Sequence, residues 1–339
     1  MAPTMFPGVM SSALGAVARW MTPFLTVAAV AGMGFLAEPA QIVPAPQVRL
    51  TADGNPLAGQ TFYVNPNSAA MRAAKSAGGS PELDYIANTP QAYWMDHRST
   101  PSVDAKYIAT AQAAGTMPIL ALYGITNRDC GSYAAGGFGS ASAYQGWIDG
   151  VAGAIGSGPA AVILEPDALA MADCLSPDQR QERLDLIRYA VDRLTANPAT
   201  AVYIDAGHSR WVGAEAMAGM LNEVGVAKAR GFSLNTANFF TTDEQIGFGD
   251  AISGMTGGKP YVIDTSRNGR GATDDELYWC NPAGRALGSA PTTATASPNV
   301  DAYLWVKRPG ESDGACNGHP PAGTWDNSYA IELARNAGI

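Results

Sequence analysis

A series of short apolar runs constrains the fold of this 339-residue chain most strongly. Each run ends in a polar or glycine-containing turn, and a more helical stretch follows. The runs cover residues 61–65, 92–96, 117–124, 160–167, 201–207, 231–238, 260–269 and 301–310. Continuous apolar runs separated by helices are typical of parallel strands buried on both faces. Seven or eight such units predict an α/β barrel in a single domain.

The strongest helix signal covers residues 176–196. Ser176, Pro177 and Gln179 supply an N-cap, a proline at the first helical position and the capping-box partner. The predicted apolar stripe consists of Leu184, Ile187, Tyr189, Val191 and Leu194.

The N-terminal stretch predicts export. Residues 20–37 carry no charge and are flanked by Arg19 and Glu38. This is typical of a signal peptide, but the run is also just long enough for a retained signal-anchor. Residues 1–45 are therefore interpreted as a signal peptide or signal-anchor plus a Pro-rich linker, and residues 46–339 as the folded domain. We expect a secreted or cell-envelope protein that contacts a membrane only if this segment is retained.

The cysteines agree with export. Cys130, Cys174, Cys280 and Cys316 are even in number and contain no C-x-x-C pair. In an exported chain this pattern predicts two disulfides, for which spacing allows three connectivities. The pairing of sequence neighbours, Cys130 with Cys174 and Cys280 with Cys316, would close two separate loops.

Charge and motifs exclude several classes of function. The formal net charge of -9 disfavours nucleic acid as a partner. Three scattered histidines do not suggest a zinc site, and no phosphate-binding loop or dinucleotide fingerprint occurs. No metal or cofactor is expected.

Aspartates follow several of the predicted strands. Asp129, Asp167, Asp205, Asp264 and Asp313 each fall at a strand end or in the loop just beyond, where barrels place their active sites. A single such aspartate is often a helix N-cap. Closely placed carboxylates raise each other's pKa, so one can act as an acid while another stays ionised, as glycosidic bond cleavage requires.

Tryptophans near the same loops suggest sugar binding. The candidates are Trp94, Trp211, Trp279 and Trp325. A flat apolar indole face can cover the C–H face of a pyranose while the indole N–H reaches a hydroxyl.

Six ordered segments carry a resemblance to a known family. They are NRDCG (127–131), ILEPDALA (163–170), YIDAGHSRW (203–211), VIDTSRNG (262–269), WCNPAGRALG (279–288) and LWVKRPGESDGAC (304–316). They resemble glycoside hydrolase family 6, the inverting cellulases that cut β-1,4-glucan, over roughly residues 55–339. Within it the chain most resembles actinobacterial secreted endoglucanases, including mycobacterial ones. The resemblance implies a distorted seven-stranded α/β barrel.

The resemblance also implies roles for individual residues. Asp167 matches the general acid, and Asp129 the partner that holds its proton. Asp313 matches the carboxylate proposed as base, an assignment that is disputed in the family. Asp205 matches an aspartate that tunes the site electrostatically, and Tyr123 the tyrosine beside the distorted sugar.

Other matched positions imply contacts with the glucan chain. They are His208, Trp211, Asn238, Trp279, Lys307 and Glu311, with Trp94 at the glycone-side subsite and Arg285 near the same groove. Both disulfides of the family coincide with the pairing of sequence neighbours. From the residues alone, Lys307 and Glu311 could instead form a surface ion pair.

Two positions depart from the family pattern. Thr126 stands where a proline is usual, which affects loop stiffness more than chemistry. Ala135 stands where the family usually has a serine that helps to hold the attacking water.

The sequence therefore predicts an inverting endo-β-1,4-glucanase, slowed by Ala135, that acts as a monomer on β-1,4-glucan chains and cello-oligosaccharides. The compact 280–316 segment favours an open cleft. The alternatives are a catalytically impaired glucan-binding protein, an exo-acting cellobiohydrolase and a metal-dependent hydrolase.

Overall fold

The computed structural model describes residues 54–339. The predicted signal or anchor segment and its linker lie outside the described residues. Within the described part, no helix combines the length and apolar character needed to cross a membrane.

Seven strands of the described chain form one parallel sheet, arranged in their order along the sequence. The strands are β1 (Tyr93–Met95), β2 (Ile119–Leu122), β3 (Ala160–Leu164), β4 (Thr200–Asp205), β5 (Gly231–Leu234), β6 (Tyr261–Asp264) and β7 (Val300–Leu304). The helices are α1 (Ala69–Ala77), α2 (Pro81–Asn88), α3 (Pro101–Ala113), α4 (Ala141–Ile155), α5 (Pro177–Thr195), α6 (Ala214–Glu223), α7 (Thr242–Met255) and α8 (Asn327–Asn336).

The sheet curls into a distorted barrel whose edges are β1 and β7. No strand ladder joins these two edges in residues 54–339. The Ala92 amide donates to the Trp305 carbonyl at 2.9 Å, and the Trp94 indole donates to the Val306 carbonyl at 2.8 Å. The predicted single-domain α/β barrel of seven parallel strands is confirmed.

Burial on both faces explains the continuous apolar runs. In β3, Ala161 and Ile163 belong to the apolar cluster inside the barrel. Val162 and Leu164 belong to a second cluster, between the sheet and the surrounding helices. Every position of this strand therefore gains from an apolar side chain.

The apolar run at 61–65 does not become an eighth strand. Phe62 forms only an isolated parallel bridge to Met117. Pro66 lacks an amide proton, and the Asn65 side chain accepts the Asn67 amide at 2.9 Å, so the chain turns instead of extending.

Helix α5 begins and ends close to the predicted bounds. Its capping box is complete: the Gln179 amide donates to the Ser176 hydroxyl at 3.4 Å, and the Gln179 side chain accepts the Ser176 amide at 3.1 Å. Four of the five predicted stripe residues are buried, namely Leu184, Ile187, Val191 and Leu194. Tyr189 lies nearer the surface, where its hydroxyl donates to Asp149 at 2.8 Å.

The disulfides join neighbouring loops at one end of the barrel. Cys130 pairs with Cys174 and ties the loop after β2 to the loop after β3. Cys280 pairs with Cys316 and ties the loop after β6 to the loop after β7. This is the pairing of sequence neighbours, and it holds the loops that carry Asp129, Asp167, Trp279 and Asp313.

Candidate active site

A cleft of about 680 Å³ opens at the carboxyl ends of the strands, and loops after all seven strands contribute to its wall. Parallel strands bring these loops to one end of a barrel. Most of the predicted site residues line it: Trp94, Tyr123, Asp129, Ala135, Asp167, His208, Trp211, Asn238, Trp279, Lys307, Glu311 and Asp313.

Asp167 reaches the cleft from a strained turn after β3. Glu165 and Asp167 have φ angles of +51° and +67°, a region that side-chain-bearing residues rarely adopt. The buried Glu165 carboxylate fixes this turn to the loop after β2 by accepting the Gly124 and Ile125 amides, each at 3.0 Å. The general-acid position is therefore set by backbone geometry as well as by packing.

The surroundings of Asp167 favour its neutral form. Burial is the largest cause, and the charges of Asp205 and Asp129 add to it, so the pKa of Asp167 lies well above its usual range. Lys307 acts in the opposite direction but does not outweigh burial and the two carboxylates. Asp167 is thus suited to hold a proton at neutral pH.

Asp205 lies behind Asp167 and does not line the cleft. Its carboxylate accepts the Asp167 and Gly207 amides and the Ser233 hydroxyl, each at 3.0 Å. Burial raises its pKa to about 6 despite these hydrogen bonds. Its position fits the predicted electrostatic role and excludes direct contact with a chain in the cleft.

Asp313 experiences the opposite field. Burial alone would raise its pKa, but the Arg267 and Lys307 cations outweigh burial and hold the pKa of Asp313 below its usual range. Arg267 lies 2.7 Å and Lys307 3.1 Å from its carboxylate oxygens. The Asn281 amide donates a further bond at 3.0 Å. Asp313 therefore stays ionised in the same cleft in which Asp167 is neutral.

Asp129 lies in a tight loop after β2. Its φ angle is +60°, and its carboxylate accepts the Ala134 amide at 2.8 Å. Burial raises its pKa. Nearby, the Arg128 guanidinium lies 4.3 Å from the Tyr123 ring centroid and donates to the Tyr123 carbonyl at 2.6 Å. Arg128 was not predicted as a site residue, although it belongs to the Arg-Asp-Cys motif.

Ala135 follows Asp129 in the same loop. Its amide donates to the Ser132 carbonyl at 3.0 Å, and both residues line the cleft. The methyl group of Ala135 cannot form a hydrogen bond with a water molecule in the cleft, whereas the Ser132 hydroxyl can.

Three of the four candidate tryptophans line the cleft: Trp94, Trp211 and Trp279. Trp211 is 41% exposed and lies 5.2 Å from the His208 ring. Burial lowers the pKa of His208 to about 4, so this imidazole is neutral at neutral pH. An exposed indole beside a neutral ring suits an uncharged ligand such as a sugar.

The ion pairs in the cleft wall differ from one alternative that the sequence left open, in which Lys307 and Glu311 pair with each other. Lys307 pairs with Asp313, and Glu311 pairs with Arg308 at 2.6 Å, so Lys307 and Glu311 do not form a surface ion pair with each other. The buried Asn238 Oδ1 has no hydrogen-bond partner among residues 54–339.

Besides Asp205, three residues singled out in the sequence do not line the cleft, which corrects the position expected for them. The Arg285 guanidinium donates to the Gly271 carbonyl at 2.7 Å, which holds it in its own loop. Asp264 is buried, and its carboxylate accepts backbone amides, including that of Lys307 at 2.8 Å. Trp325 packs against the apolar cluster formed by α1, α2 and α8.

Arg267 is a residue that the sequence interpretation missed. Its side chain is fully buried, lies over the Phe239 ring at 4.3 Å and binds Asp313. A single arginine after a strand has no sequence signal that distinguishes it from a surface residue. For metals, residues 54–339 contain no group of three or more histidine, cysteine, aspartate or glutamate side chains placed to bind an ion.

Comparison with known proteins identifies the family. The sequence pattern of Glycosyl hydrolases family 6 matches residues 57–337. Endoglucanase A from Cellulomonas fimi is 47% identical over 283 residues, which make up 81% of this chain but only 61% of that protein. Endoglucanase 1 from Streptomyces halstedii is 42% identical over 270 residues, or 75% of this chain and 82% of that protein.

A solved structure agrees. The endoglucanase Cel6 from Mycobacterium tuberculosis, in complex with methyl-cellobiosyl-4-deoxy-4-thio-β-D-cellobioside, superposes with a TM-score of 0.83 and 64% sequence identity. The alignment covers 84% of this chain and 100% of that chain. The chain is therefore a glycoside hydrolase and belongs to Glycosyl hydrolases family 6.

Proposed function

We propose that this chain hydrolyses internal β-1,4-glucosidic bonds in cellulose or a related β-glucan, with inversion at the anomeric carbon. One observation supports this most directly. Two carboxyl groups of the same cleft have their pKa values displaced in opposite directions, that of Asp167 upward and that of Asp313 downward. An inverting glycosidase needs one protonated and one ionised carboxyl group.

In the proposed reaction, Asp167 donates its proton to the glycosidic oxygen as the bond from that oxygen to the anomeric carbon breaks. A water molecule attacks the opposite face of the sugar ring, and Asp313 accepts the proton that the water loses. Asp205 keeps the pKa of Asp167 high. Asp129 lies close enough to raise that pKa further, and its negative charge stabilises the positive charge that develops at the anomeric carbon.

The cleft also fits the proposed substrate. Trp94, Trp211 and Trp279 offer indole faces to pyranose rings. Lys307 and Glu311 lie in the wall of the same cleft. The relative from Mycobacterium tuberculosis binds a thio-linked cello-oligosaccharide, which supports glucan as the ligand class.

Cleavage within the chain, rather than at its end, is supported by the endoglucanase names of the relatives from Cellulomonas fimi and Streptomyces halstedii and by the compact segment that the second disulfide closes. Only 36 positions separate Cys280 from Cys316, and a 41%-exposed Trp211 is not covered by a roof.

The test follows viscosity and new reducing ends together on carboxymethyl-cellulose, with Asp167→Asn protein as the blank. We expect a fast fall in viscosity with few new ends, and the α-anomer as the first product by NMR. Sugar release without a fall in viscosity would indicate an exo-acting enzyme. Tight cello-oligosaccharide binding without release would indicate the glucan-binding alternative, which Ala135 favours.

We expect Ala135→Ser to raise kcat on soluble glucan by about tenfold to a hundredfold, because a hydroxyl at this position can orient the attacking water. The matched control is Ala134→Ser, which adds the same hydroxyl to the neighbouring residue of the same cleft wall. Equal kcat values for all three proteins would assign water positioning to another group, such as Ser132.

We propose secretion or cell-envelope association as the location. The two disulfides support it, because cystines persist in oxidising compartments. The uncharged run at residues 20–37 supports export by either route, cleaved or retained.

A further inference from the structure

A second cavity, of about 300 Å³, adjoins the cleft. We call it the side pocket. Its wall comes from residues 65–72 before and in α1, from residues 87–93 between the end of α2 and the start of β1, from Tyr107 of α3, and from the loop after β7. Its volume is at the lower end of the range for small-molecule sites.

The side pocket is continuous with the cleft. Arg308, Glu311 and Gly323 line both cavities. Tyr93 and Trp94 are consecutive residues of β1 and lie on opposite faces of the strand, Trp94 in the cleft and Tyr93 in the side pocket. The connection is therefore the shared rim in the loop after β7, and a glucan chain that passes Glu311 over this rim reaches the side pocket with its next unit.

The lining suits a hydroxylated ligand. Asn65, Asn67 and Gln91 contribute amide groups, and the Tyr93 and Tyr107 rings are stacked at 4.0 Å. Arg308 pairs with Glu311 at 2.6 Å, whereas the second cation of the wall, Arg72, forms no ion pair among residues 54–339. Arg72 donates to the Asn67 carbonyl at 2.5 Å, and its other N–H groups can donate to sugar hydroxyls.

Two buried donors point to a polar occupant. The Tyr107 hydroxyl and the Arg308 Nε have no hydrogen-bond partner among residues 54–339. Tyr107 is 9% exposed, and both residues line the side pocket. Buried polar groups are usually hydrogen-bonded, so these two donors in the wall would gain a partner if a side-chain rotation turned them towards a ligand in the side pocket.

We infer that the side pocket is a further glycone-side subsite, which binds the third glucosyl unit counted from the bond that is cleaved. This inference rests on the proposed function, since it assumes a β-glucan in the cleft. It predicts that the enzyme prefers substrates with at least three units on the glycone side.

The test compares aryl β-cellobioside with aryl β-cellotrioside, following release of the aryl group. The aryl leaving group fixes which bond is broken, so the extra unit can extend only on the glycone side. We expect kcat/KM to be about tenfold higher for the trioside, the size of one or two net hydrogen bonds. Ala69→Phe, which fills the side pocket, should reduce this ratio to about one without changing kcat/KM for the cellobioside.

Two further variants separate binding from folding. Ala69→Ser should keep the ratio, because it leaves the pocket open. Tyr107→Phe removes only a hydroxyl without a protein partner, so it should lower the ratio about threefold while the free energy of unfolding stays unchanged. Ratios that are equal in wild-type and Ala69→Phe proteins would overturn the inference.

If neither aryl glycoside is cleaved and carboxymethyl-cellulose is not hydrolysed, the proposed function fails instead. Calorimetric titration with cellotriose and cellotetraose then decides the side pocket without turnover. A weaker Kd for cellotetraose in Ala69→Phe than in wild-type protein supports the subsite, and equal Kd values overturn it.

Discussion

Asp167→Asn is expected to lower kcat on carboxymethyl-cellulose by about 10²-fold to 10⁴-fold. The side-chain amide of asparagine keeps the shape of the carboxyl group, and the hydrogen bond from the backbone N–H of residue 167 to Asp205, at 3.0 Å, is unaffected. The side-chain amide cannot, however, give a proton to the leaving oxygen. The loss should therefore be in kcat, with KM little changed, since binding groups such as Trp211 are untouched.

The leaving group tests the assigned role. An aryl glycoside with an acidic phenol as leaving group departs without protonation, so the Asp167→Asn variant should retain most of its activity on it. An alkyl-like glucosyl leaving group needs the proton and should show the full loss. An equal loss on both substrates would contradict the general-acid assignment.

Stability provides an independent check that the variant is folded. The raised pKa of Asp167 means that the folded state holds a proton that the unfolded state releases. Wild-type stability therefore falls as the pH rises from the unfolded-state pKa towards the folded-state pKa. Asp167→Asn lacks this term and should unfold at a higher temperature than wild-type protein at pH 7. The control is Asp173→Asn, the same change at an exposed position nearby, which should alter neither activity nor stability.

The fold could be predicted because its signal is repeated. Burial on both faces requires apolar residues along each strand, as in β3, and seven such runs allow few other arrangements. The run at 61–65 has the same composition, but a strand also needs a backbone partner over several residues. That partner depends on the turn at Asn65 and Pro66, which composition does not reveal.

The site was predictable in part, for a related reason. A position after a strand places a residue at the correct end of the barrel but does not say which way its side chain lies. Asp167 and Asp264 both follow strands, yet Asp167 lines the cleft whereas Asp264 accepts backbone amides inside the protein. The partners that tune each carboxyl group are distant in sequence: 46 positions separate Arg267 from Asp313. Only the fold brings them together.

That distant pair gives the second large expected effect. Arg267→Met should lower the free energy of unfolding by about 3–5 kcal/mol, because it leaves a buried carboxylate without its main counter-ion. The Arg267 side chain is fully buried and lies 2.7 Å from Asp313, so water cannot replace it. The matched control is Arg270→Met, three residues further along the same loop, where the arginine is exposed and the change should be nearly neutral.

The pH dependence of Arg267→Met separates a change in charge from a loss of packing. In wild-type protein the pKa of Asp313 is lowered, so its stabilising contribution is present above the unfolded-state pKa and is lost as the pH falls through the folded-state pKa. Without Arg267 this pKa rises, while Lys307, at 3.1 Å, continues to oppose the rise. If Asp313 must be ionised to accept the proton of the attacking water, the acidic limb of kcat against pH should move to higher pH.

Arg267→Lys completes the series, since it restores a positive charge without the planar guanidinium. The acidic limb should then lie between those of the wild-type and Arg267→Met proteins. Limbs that coincide in all three proteins, each measured where it is folded, would show that the ionisation controlling turnover is not that of Asp313. An acidic limb that moves furthest in Arg267→Met and less in Arg267→Lys would instead assign the base role to Asp313. A packing defect alone lowers kcat equally on both sides of the pH optimum and leaves the limb in place.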